Sequence, residues 1–240
     1  AGAGVNNIPV ADYTEQGIVV FNTPGANANA VKELIVAGLL LGSRDIYGGM
    51  NYVQRLSEMD DGAEMGKLLE KEKKRFAGTE ITGKTLGVVG LGAIGSIIAN
   101  LGLELGMNVV GFDPAISVEA AWQLSSRVER MENLEALLAR ADFVTLHVPA
   151  IPATKHLINA KTLGGMKKTA KILNFAREEI VSTQDMVVAL DSGVIAGYIS
   201  DFPAPELIGR KDVLLMPHIG ASTAEAEENC AVMAADQLKD

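Results

Sequence analysis

From residue 85 onward, the chain alternates between short apolar runs and stretches with helical periodicity. The apolar runs lie at 85–90, 107–112, 142–148, 170–175, 194–200 and 212–217. The helical patterns lie at 94–105, 133–139, 159–164, 183–190 and 223–238. Apolar runs separated by helices are typical of a parallel sheet that is covered on both faces. This part of the sequence therefore predicts an α/β fold with a doubly wound parallel sheet.

The residues before this region follow a different pattern. Residues 17–22 are a β-branched run, which predicts a short strand followed by a turn-rich loop. Residues 28–46 have helical periodicity and are apolar almost all round, so we expect a buried helix that also contributes to a subunit interface. Residues 58–76 are rich in charge and predict a solvated helix or a linker.

Composition narrows the class of protein. The 240 residues are 48% hydrophobic and 21% charged, which suits one large or two modest globular domains. The net charge of −9 argues against a nucleic-acid partner, and no apolar run approaches the roughly 18 residues that span a bilayer. A single cysteine and three scattered histidines give no disulfide and no metal-ligand spacing. We therefore expect a cytoplasmic protein with no metal and no membrane partner.

A glycine motif stands where the first apolar run meets the first helical pattern. Gly90, Gly92 and Gly95 have the spacing G-x-G-x-x-G, and Asp113 follows Gly95 by 18 residues at the end of the next run. In this context the glycines allow a tight turn, close approach of a pyrophosphate and close helix packing, and the carboxylate accepts the ribose hydroxyls. The motif predicts NAD rather than NADP as the cofactor. The alternative is a glycine-rich turn that binds no ligand.

Three polar residues follow later apolar runs. His218 stands in LLMPHIGAST (214–223), Arg177 follows the run 170–175 and Glu206 follows 194–200. A lone histidine of this kind is more often packed than catalytic, and Arg177 alone would serve as a partner for Glu178 or Glu179. Together they come after predicted strands, where open α/β sheets bind ligands. Because histidine titrates near neutral pH, His218 is a candidate acid and base.

Six motifs in a fixed order carry a family resemblance. They are GLGAIG (90–95), FDP (112–114), HVP (147–149), LNFAR (173–177), DFPAPE (201–206) and PHIGAST (217–223). In this order they resemble the D-isomer-specific 2-hydroxyacid dehydrogenases. The resemblance implies a Rossmann-type NAD-binding domain at 27–220, a truncated remnant of a flavodoxin-like substrate domain at 1–26 and a C-terminal helix at 221–240 that returns toward that domain. Since the chain starts without methionine and ends inside a helical pattern, we expect a fragment of a longer protein.

The resemblance also implies a reaction. We expect NAD-dependent interconversion of a D-2-hydroxy acid and its 2-keto acid, with 3-phosphoglycerate and 3-phosphohydroxypyruvate of serine biosynthesis as the favoured pair. Catalytic roles fall on Arg177, which would clamp the substrate carboxylate, and on His218, which Glu206 would orient. Backbone at Ala3 and Gly4 would also hold the substrate. The alternative is an NAD-binding dimerisation module without efficient turnover, or a corepressor-like nicotinamide sensor on the same fold.

Further implied features concern the cofactor and a second subunit. Asp201 is expected to hold the nicotinamide carboxamide, and a homodimer is expected through the NAD-binding domain near residues 28–76. The chain departs from the family at Glu178, where relatives usually have glycine, and the added charge beside Arg177 is expected to weaken the binding of anionic substrates. The residues expected along the cofactor are Gly90, Gly92, Ala93, Ile94, Gly95, Asp113, His147, Val148, Pro149, Phe175, Ala176, Arg177, Asp201, His218, Gly220 and Ala221.

Overall fold

A parallel sheet forms the centre of the protein in the computed structural model, which describes residues 2, 4–5 and 8–239. The strands are β1 (Thr85–Val89), β2 (Asn108–Phe112), β3 (Glu129–Arg130), β4 (Phe143–Leu146), β5 (Lys171–Asn174), β6 (Gly197–Ser200) and β7 (Val213–Leu215). Their order is β3-β2-β1-β4-β5-β6-β7, and every neighbouring pair is parallel. The order reverses between β1 and β4, and a crevice for ligands forms at such a point in open α/β sheets.

Helices cover the two faces of the sheet. In the described residues they are α1 (Val10–Glu15), α2 (Ala28–Ser43), α3 (Ile46–Gln54), α4 (Gly62–Glu72), α5 (Ala93–Glu104), α6 (Val118–Gln123), α7 (Leu134–Arg140), α8 (Ala160–Gly164), α9 (Thr183–Asp191) and α10 (Ala224–Gln237). Short 3₁₀ turns occur at Lys73–Phe76, Glu178–Ile180 and Pro205–Leu207. No helix within the described part of the chain has both the length and the apolar character that a membrane crossing requires.

The sheet separates two apolar cores. Val144 and Ile172 point into the core that is covered by α7, α8 and α9. Their strand neighbours Phe143 and Leu173 point into the other core, which is covered by α2 and α5. Because successive strand residues face opposite sides, both sides need apolar residues, and this explains the continuous apolar runs in the sequence. The predicted doubly wound parallel sheet is confirmed.

Two strand predictions need correction. Residues 17–22 were expected to form a strand, but they lie outside every strand that the structure describes, and Val19 is 72% exposed. A β-branched run forms a ladder only where a neighbouring strand satisfies its backbone groups, and no described strand pairs with this segment. Conversely, β3 was not expected. Its two residues, Glu129 and Arg130, are polar and exposed at the sheet edge, so they leave no apolar signal.

The helical prediction for 28–46 holds only in its first part. The helix α2 ends at Ser43, and Arg44 is extended, with φ −150° and ψ 163°. Asp45 then caps α3, because its side chain accepts a hydrogen bond of 2.9 Å from the backbone N–H of Gly48. The charged region 58–76 contains α4 and a 3₁₀ turn, so of the two predictions the helix is correct and the linker is not. None of the residues of α4 is buried, as expected for a solvated helix.

Candidate active site at the carboxyl edge of the sheet

The turn between β1 and α5 can be built only with glycine at two positions. Gly90 has a positive φ of 90°, and a Cβ on it would lie 2.7 Å from the carbonyl oxygen of His147. A Cβ on Gly95 would lie 1.9 Å from the carbonyl oxygen of Gly90. Gly90 also donates its backbone N–H to the carbonyl of Phe112 at 2.9 Å, which ties the turn to the end of β2. The first and third glycines of the motif therefore serve the fold itself.

The middle glycine has no such structural constraint. Gly92 precedes the first residue of α5 with φ −71°, and apart from its chain neighbours no atom of the described residues lies within 4 Å of the place where its Cβ would stand. The N-terminal N–H groups of α5 open onto this space, and such a helix end attracts anions. Gly92 thus leaves open space at the N-terminus of α5, here called the cradle, which a side chain at this position would enter. The cradle fits the pyrophosphate of a dinucleotide.

Asp113 stands directly after β2, beside the glycine turn. One of its carboxylate oxygens, Oδ2, accepts from the backbone N–H of Leu91 at 2.8 Å. The other, Oδ1, accepts from the backbone N–H of Ala115 at 2.8 Å. Each oxygen keeps a further lone pair, so the carboxylate is held in place and still able to accept hydrogen bonds from ribose hydroxyls.

The loop before α2 also reaches the glycine turn. A Cβ on Gly25 would lie 3.9 Å from the Cβ of Ala93, the first residue of α5. In the same loop, the side-chain oxygen of Thr23 is buried and has no hydrogen-bond partner among the described residues. Buried hydroxyls are normally satisfied, so Thr23 is a polar group that the described chain leaves unpaired. The sequence carried no signal for it, since threonine is ordinary in such a loop.

His147 follows β4 and is neutral at physiological pH. Its backbone N–H donates to the carbonyl of Val89 at 2.7 Å, and its Nε2 lies 2.9 Å from Oγ1 of the fully buried Thr145. Although part of the residue remains accessible, burial of the imidazole lowers the pKa of His147 to about 3. Val148 lies next to it and contacts the glycine turn, since its Cγ1 is 3.0 Å from the Cβ position of Gly90. Pro149 is exposed beyond them.

Arg177 follows β5 and meets the N-terminal segment of the chain. Its Nη1 donates to the carbonyl of Ala176 at 2.6 Å, and its Nη2 lies 2.8 Å from the position of a Cβ on Gly4. Gly4 and Arg177, which the resemblance places around the substrate, are therefore in contact, whereas Ala3 lies outside the described residues. Within the described part of the chain, no salt bridge involves Arg177, so neither Glu178 nor Glu179 is paired with it.

Beneath Arg177 lies an amide that sequence reasoning missed. Asn174 is fully buried at the end of β5, and its Nδ2 donates to the carbonyl of Arg177 at 2.9 Å and to the Tyr198 hydroxyl at 3.3 Å. Its Oδ1 accepts from the backbone N–H of Ala176 at 3.2 Å. Burial raises the pKa of Tyr198, which keeps the phenol protonated. Asn174 thus fixes the backbone that carries Arg177. The side chain of Phe175 turns away into the apolar core against α2.

His218 is presented on a strained loop after β7. It has a positive φ of 56°, is exposed and packs its ring against Phe202, with ring centroids 4.9 Å apart. Asp201, at the end of β6, is 1% exposed and binds the two residues after His218. Its Oδ1 accepts from the backbone N–H of Ile219 at 2.9 Å, and its Oδ2 accepts from that of Gly220 at 2.7 Å.

Glu206 is exposed in the 3₁₀ turn Pro205–Leu207. In the region that the structure describes, no hydrogen bond or salt bridge joins its carboxylate to His218, so the pairing of these two residues stays a prediction. No group of three metal-ligating side chains occurs among the described residues. Arg177, His147, His218 and the open space at Gly92 all follow strand ends at this edge of the sheet.

Comparison with known proteins identifies the family. A family profile for the D-isomer specific 2-hydroxyacid dehydrogenase, NAD binding domain, matches residues 49–220. The chain belongs to this family. It is 41% identical over 246 residues to a D-3-phosphoglycerate dehydrogenase from Synechocystis sp. and 38% identical over 245 residues to one from Methanocaldococcus jannaschii. Both alignments cover 100% of this chain, but only 42% and 44% of these relatives. The chain thus spans less than half of their length.

A solved structure shares the fold of the family. A D-isomer specific 2-hydroxyacid dehydrogenase from Lactobacillus delbrueckii ssp. bulgaricus, solved as an NAD complex, superposes with a TM-score of 0.78 at 26% identity. The match covers 99% of this chain and 73% of that one. The Rossmann-type architecture predicted from the apolar runs and the glycine motif agrees with this likeness.

Proposed function

We propose that this chain is the NAD-binding part of a D-2-hydroxyacid dehydrogenase whose substrate is 3-phosphoglycerate. The observation that carries the proposal is the cradle at Gly92, which is open, lies at the N-terminus of α5 and is flanked by the Asp113 carboxylate. The carboxylate would repel a 2′-phosphate, so the preferred cofactor is NAD. The two relatives named D-3-phosphoglycerate dehydrogenase support the choice of substrate.

The side chains at the carboxyl edge suit the reduction of a 2-keto acid. A bound NADH supplies the hydride that the carbonyl carbon accepts. Arg177 has a permanent positive charge and a planar fork, which clamp the substrate carboxylate and polarise the carbonyl. His218 in its protonated form gives a proton to the carbonyl oxygen as negative charge develops there, and in the reverse direction the neutral ring takes the proton from the hydroxyl. Glu206 is assigned to orient His218.

The same proposal assigns the remaining segments. Residues 1–26 belong to a second, substrate-binding domain, of which Gly4 reaches Arg177, and residues 27–220 form the nucleotide domain. The helix α10 packs against α2 and leads back toward the substrate domain. Two copies associate through the region 28–76. The larger part of the contacts to the distal phosphate of the substrate then lies in the substrate domain.

Calorimetric titration with NADH tests the cofactor assignment, with NADPH as the comparison. We expect saturable binding of NADH and at least tenfold weaker binding of NADPH. Gly92→Ala should abolish NADH binding and leave the free energy of unfolding nearly unchanged, because its methyl group enters only the cradle. Gly95→Ala is the contrasting variant, since it should unfold or strongly destabilise the chain. If Gly92→Ala binds NADH as tightly as the unaltered chain, the cradle does not hold the pyrophosphate.

Turnover tests the reaction. The oxidation of NADH is followed by its absorbance with 3-phosphohydroxypyruvate, 2-oxoglutarate and pyruvate. We expect the phosphorylated keto acid to be preferred, and His218→Gln to lower kcat by at least a hundredfold with little change in NADH affinity. A chain that binds NADH but reduces none of these acids would instead be a binding module. The exposed Glu178 next to Arg177 favours this alternative, because its negative charge would oppose the binding of an anionic substrate.

A further inference from the structure

Asp201 is a buried carboxylate whose partners are backbone amides. Within the described residues, no lysine, arginine or histidine forms a salt bridge with it, and its oxygens accept from the N–H groups of Ile219 and Gly220. A carboxylate is costly to bury unless strong hydrogen bonds replace its water. These two amides are therefore a necessary part of its surroundings, and the loop that supplies them is attached to the end of β6.

The attached loop contains a strained residue. His218 has a left-handed backbone conformation, which residues other than glycine adopt at an energetic cost. Such a conformation persists where the surrounding structure holds it in place. The two amides that Asp201 binds belong to the two residues that follow His218. Gly220 also fits this contact closely, because a Cβ there would lie 3.0 Å from Oδ2 of Asp201. The carboxylate thus holds the loop immediately after the strained position.

The surface on which the His218 ring rests is fixed by the same strand. Phe202 donates its backbone N–H to Oγ of the fully buried Ser200 at 3.0 Å. The N–H of Met216, two residues before His218, donates to the carbonyl of Ser200 at 2.9 Å. The end of β6 therefore holds the segment before His218, the segment after it and the ring beneath it.

The same network reaches Arg177. The N–H of Asp201 donates to the carbonyl of Asn174 at 3.1 Å, and Nδ2 of Asn174 donates to the carbonyl of Arg177 at 2.9 Å. Buried polar networks with every member satisfied make a rigid support. The relative position of Arg177 and His218 is accordingly set through two buried side chains at the ends of β5 and β6.

We propose that Asp201 is a positioning residue for His218, which it holds by two hydrogen bonds to the backbone of the following residues. The proposal rests on the proposed function for the role of His218, and it deepens that function by naming what keeps the imidazole in place. It is independent of any contact between Asp201 and the nicotinamide, because the hydrogen bonds lie within the protein.

The test compares two carboxylate-to-amide changes in the cofactor-free chain. In Asp201→Asn, the new NH₂ group faces a backbone N–H, so at least one bond to the loop is lost. In the control Asp185→Asn, the altered side chain accepts from the backbone N–H of Ala160 at 3.0 Å and thereby links α8 to α9, away from His218. The readout is the nuclear Overhauser effect between the rings of His218 and Phe202. With three histidines in the chain, single His→Asn variants assign the His218 signal.

We expect the ring-to-ring effect to fall at least threefold in Asp201→Asn and to remain unchanged in Asp185→Asn. An undiminished effect in folded Asp201→Asn would overturn the proposal, and would mean that the carboxylate acts only toward the cofactor. Should Asp201→Asn fail to fold, Gly220→Ala replaces it, because its methyl group crowds Oδ2 while the charge stays. If the ring-to-ring effect in Gly220→Ala is as large as in the unaltered chain, the proposal is overturned equally.

A second readout separates this proposal from the proposed function. The ring-to-ring effect needs neither NADH nor turnover, so its loss supports the positioning role even where no keto acid is reduced. Where turnover is present, Asp201→Asn should lower kcat at least tenfold and change the KM for the keto acid less than threefold. A change confined to the KM for NADH would contradict positioning of His218.

Discussion

At the scale of single residues, His147 shows how burial decides the state of a side chain. Its ring accepts or donates one hydrogen bond with Thr145, and burial lowers its pKa to about 3. A histidine with that pKa is not protonated near pH 7, so His147 stays neutral where the proposed chemistry takes place. His218 is exposed at the carboxyl edge of the sheet, and it is the histidine to which we assign proton transfer.

The lowered pKa of His147 predicts a loss of stability in mild acid. Above the ordinary pKa of about 6.5, both the folded and the unfolded chain carry the neutral ring. As the pH falls from 6.5 toward 3, the unfolded chain binds a proton that the folded chain refuses, so the free energy of unfolding drops by up to about 1.4 kcal/mol per pH unit. Urea denaturation between pH 7.5 and 4 measures this slope.

The matched variants for this prediction are His147→Gln and His156→Asn. Glutamine keeps a polar group near Thr145 but does not titrate, so its slope should be flatter than that of the unaltered chain. His156 is exposed, and its replacement should leave the slope unchanged. Equal slopes in the unaltered chain and His147→Gln would show that other groups cause the acid sensitivity.

How well the sequence predicts a residue depends on where its partners lie. Gly90, Gly92, Gly95 and Asp113 belong to one local strand–turn–helix–strand unit, so their spacing alone indicates their place. Asn174 is different, because its partners include Tyr198 on a separate strand, and the unpaired Thr23 is recognised only from its burial. Such relations arise from tertiary packing and leave no periodic pattern in the sequence.

At the scale of elements, α2 lies close to the sheet because it presents glycine at two positions. A Cβ on Gly38 would lie 2.9 Å from Cζ of Phe175 and 3.2 Å from Cγ2 of Ile199. A Cβ on Gly42, one helical turn later, would lie 3.0 Å from Cδ1 of Ile199. Glycine weakens a helix by roughly 1 kcal/mol relative to alanine, so close packing on β5 and β6 is the compensating gain.

Opposite effects are expected for two Gly→Ala changes in helices. Gly38→Ala should destabilise the fold by about 1–3 kcal/mol through overpacking against Phe175, despite the better helix propensity of alanine. Gly66→Ala in the exposed α4 has no atom within 4 Å of the new methyl group and should stabilise by up to about 1 kcal/mol. Guanidinium chloride denaturation measures both. Stabilisation by Gly38→Ala would show that α2 has room to move away from the sheet.

The elements that the sequence predicts well are those with a long apolar signal. Of the seven strands in the described residues, six coincide with apolar runs, because each of the six has apolar side chains that are buried or partly buried against helices. The edge strand β3 has no such burial and leaves no signal. For residues 17–22 the local preference for a strand is present, but pairing needs a neighbour, and that is a property of the surroundings rather than of the segment.

At the scale of the whole molecule, α2 and α3 carry apolar side chains that face solvent. Tyr47 and Met50 are 59% and 62% exposed on α3, and Leu40 and Val53 are exposed nearby. Contiguous apolar surface on one element is typical of an interface. These residues lie within the segment 28–76 that we assign to a two-fold dimer.

Sedimentation equilibrium tests the proposed dimer. The unaltered chain should sediment with twice the mass of 25.3 kDa at micromolar concentration, whereas Met50→Glu should sediment as the 25.3 kDa monomer because a charge is placed in the interface. Val188→Glu is the control, since Val188 is comparably exposed on α9, away from the segment. If the unaltered chain is monomeric, or if Met50→Glu remains dimeric, the proposed dimer through residues 28–76 is wrong.

The two hydrogen bonds of Asp113 bear on how readily substitutions could change the coenzyme preference of this fold. The carboxylate that would discriminate against a 2′-phosphate is also a strut between β2 and the glycine turn, through the N–H of Leu91. Replacing it with an apolar or basic residue removes the repulsion and the hydrogen-bond acceptor together. A basic residue at this position would therefore receive a 2′-phosphate only at the expense of the turn, unless a second substitution secures the N–H of Leu91.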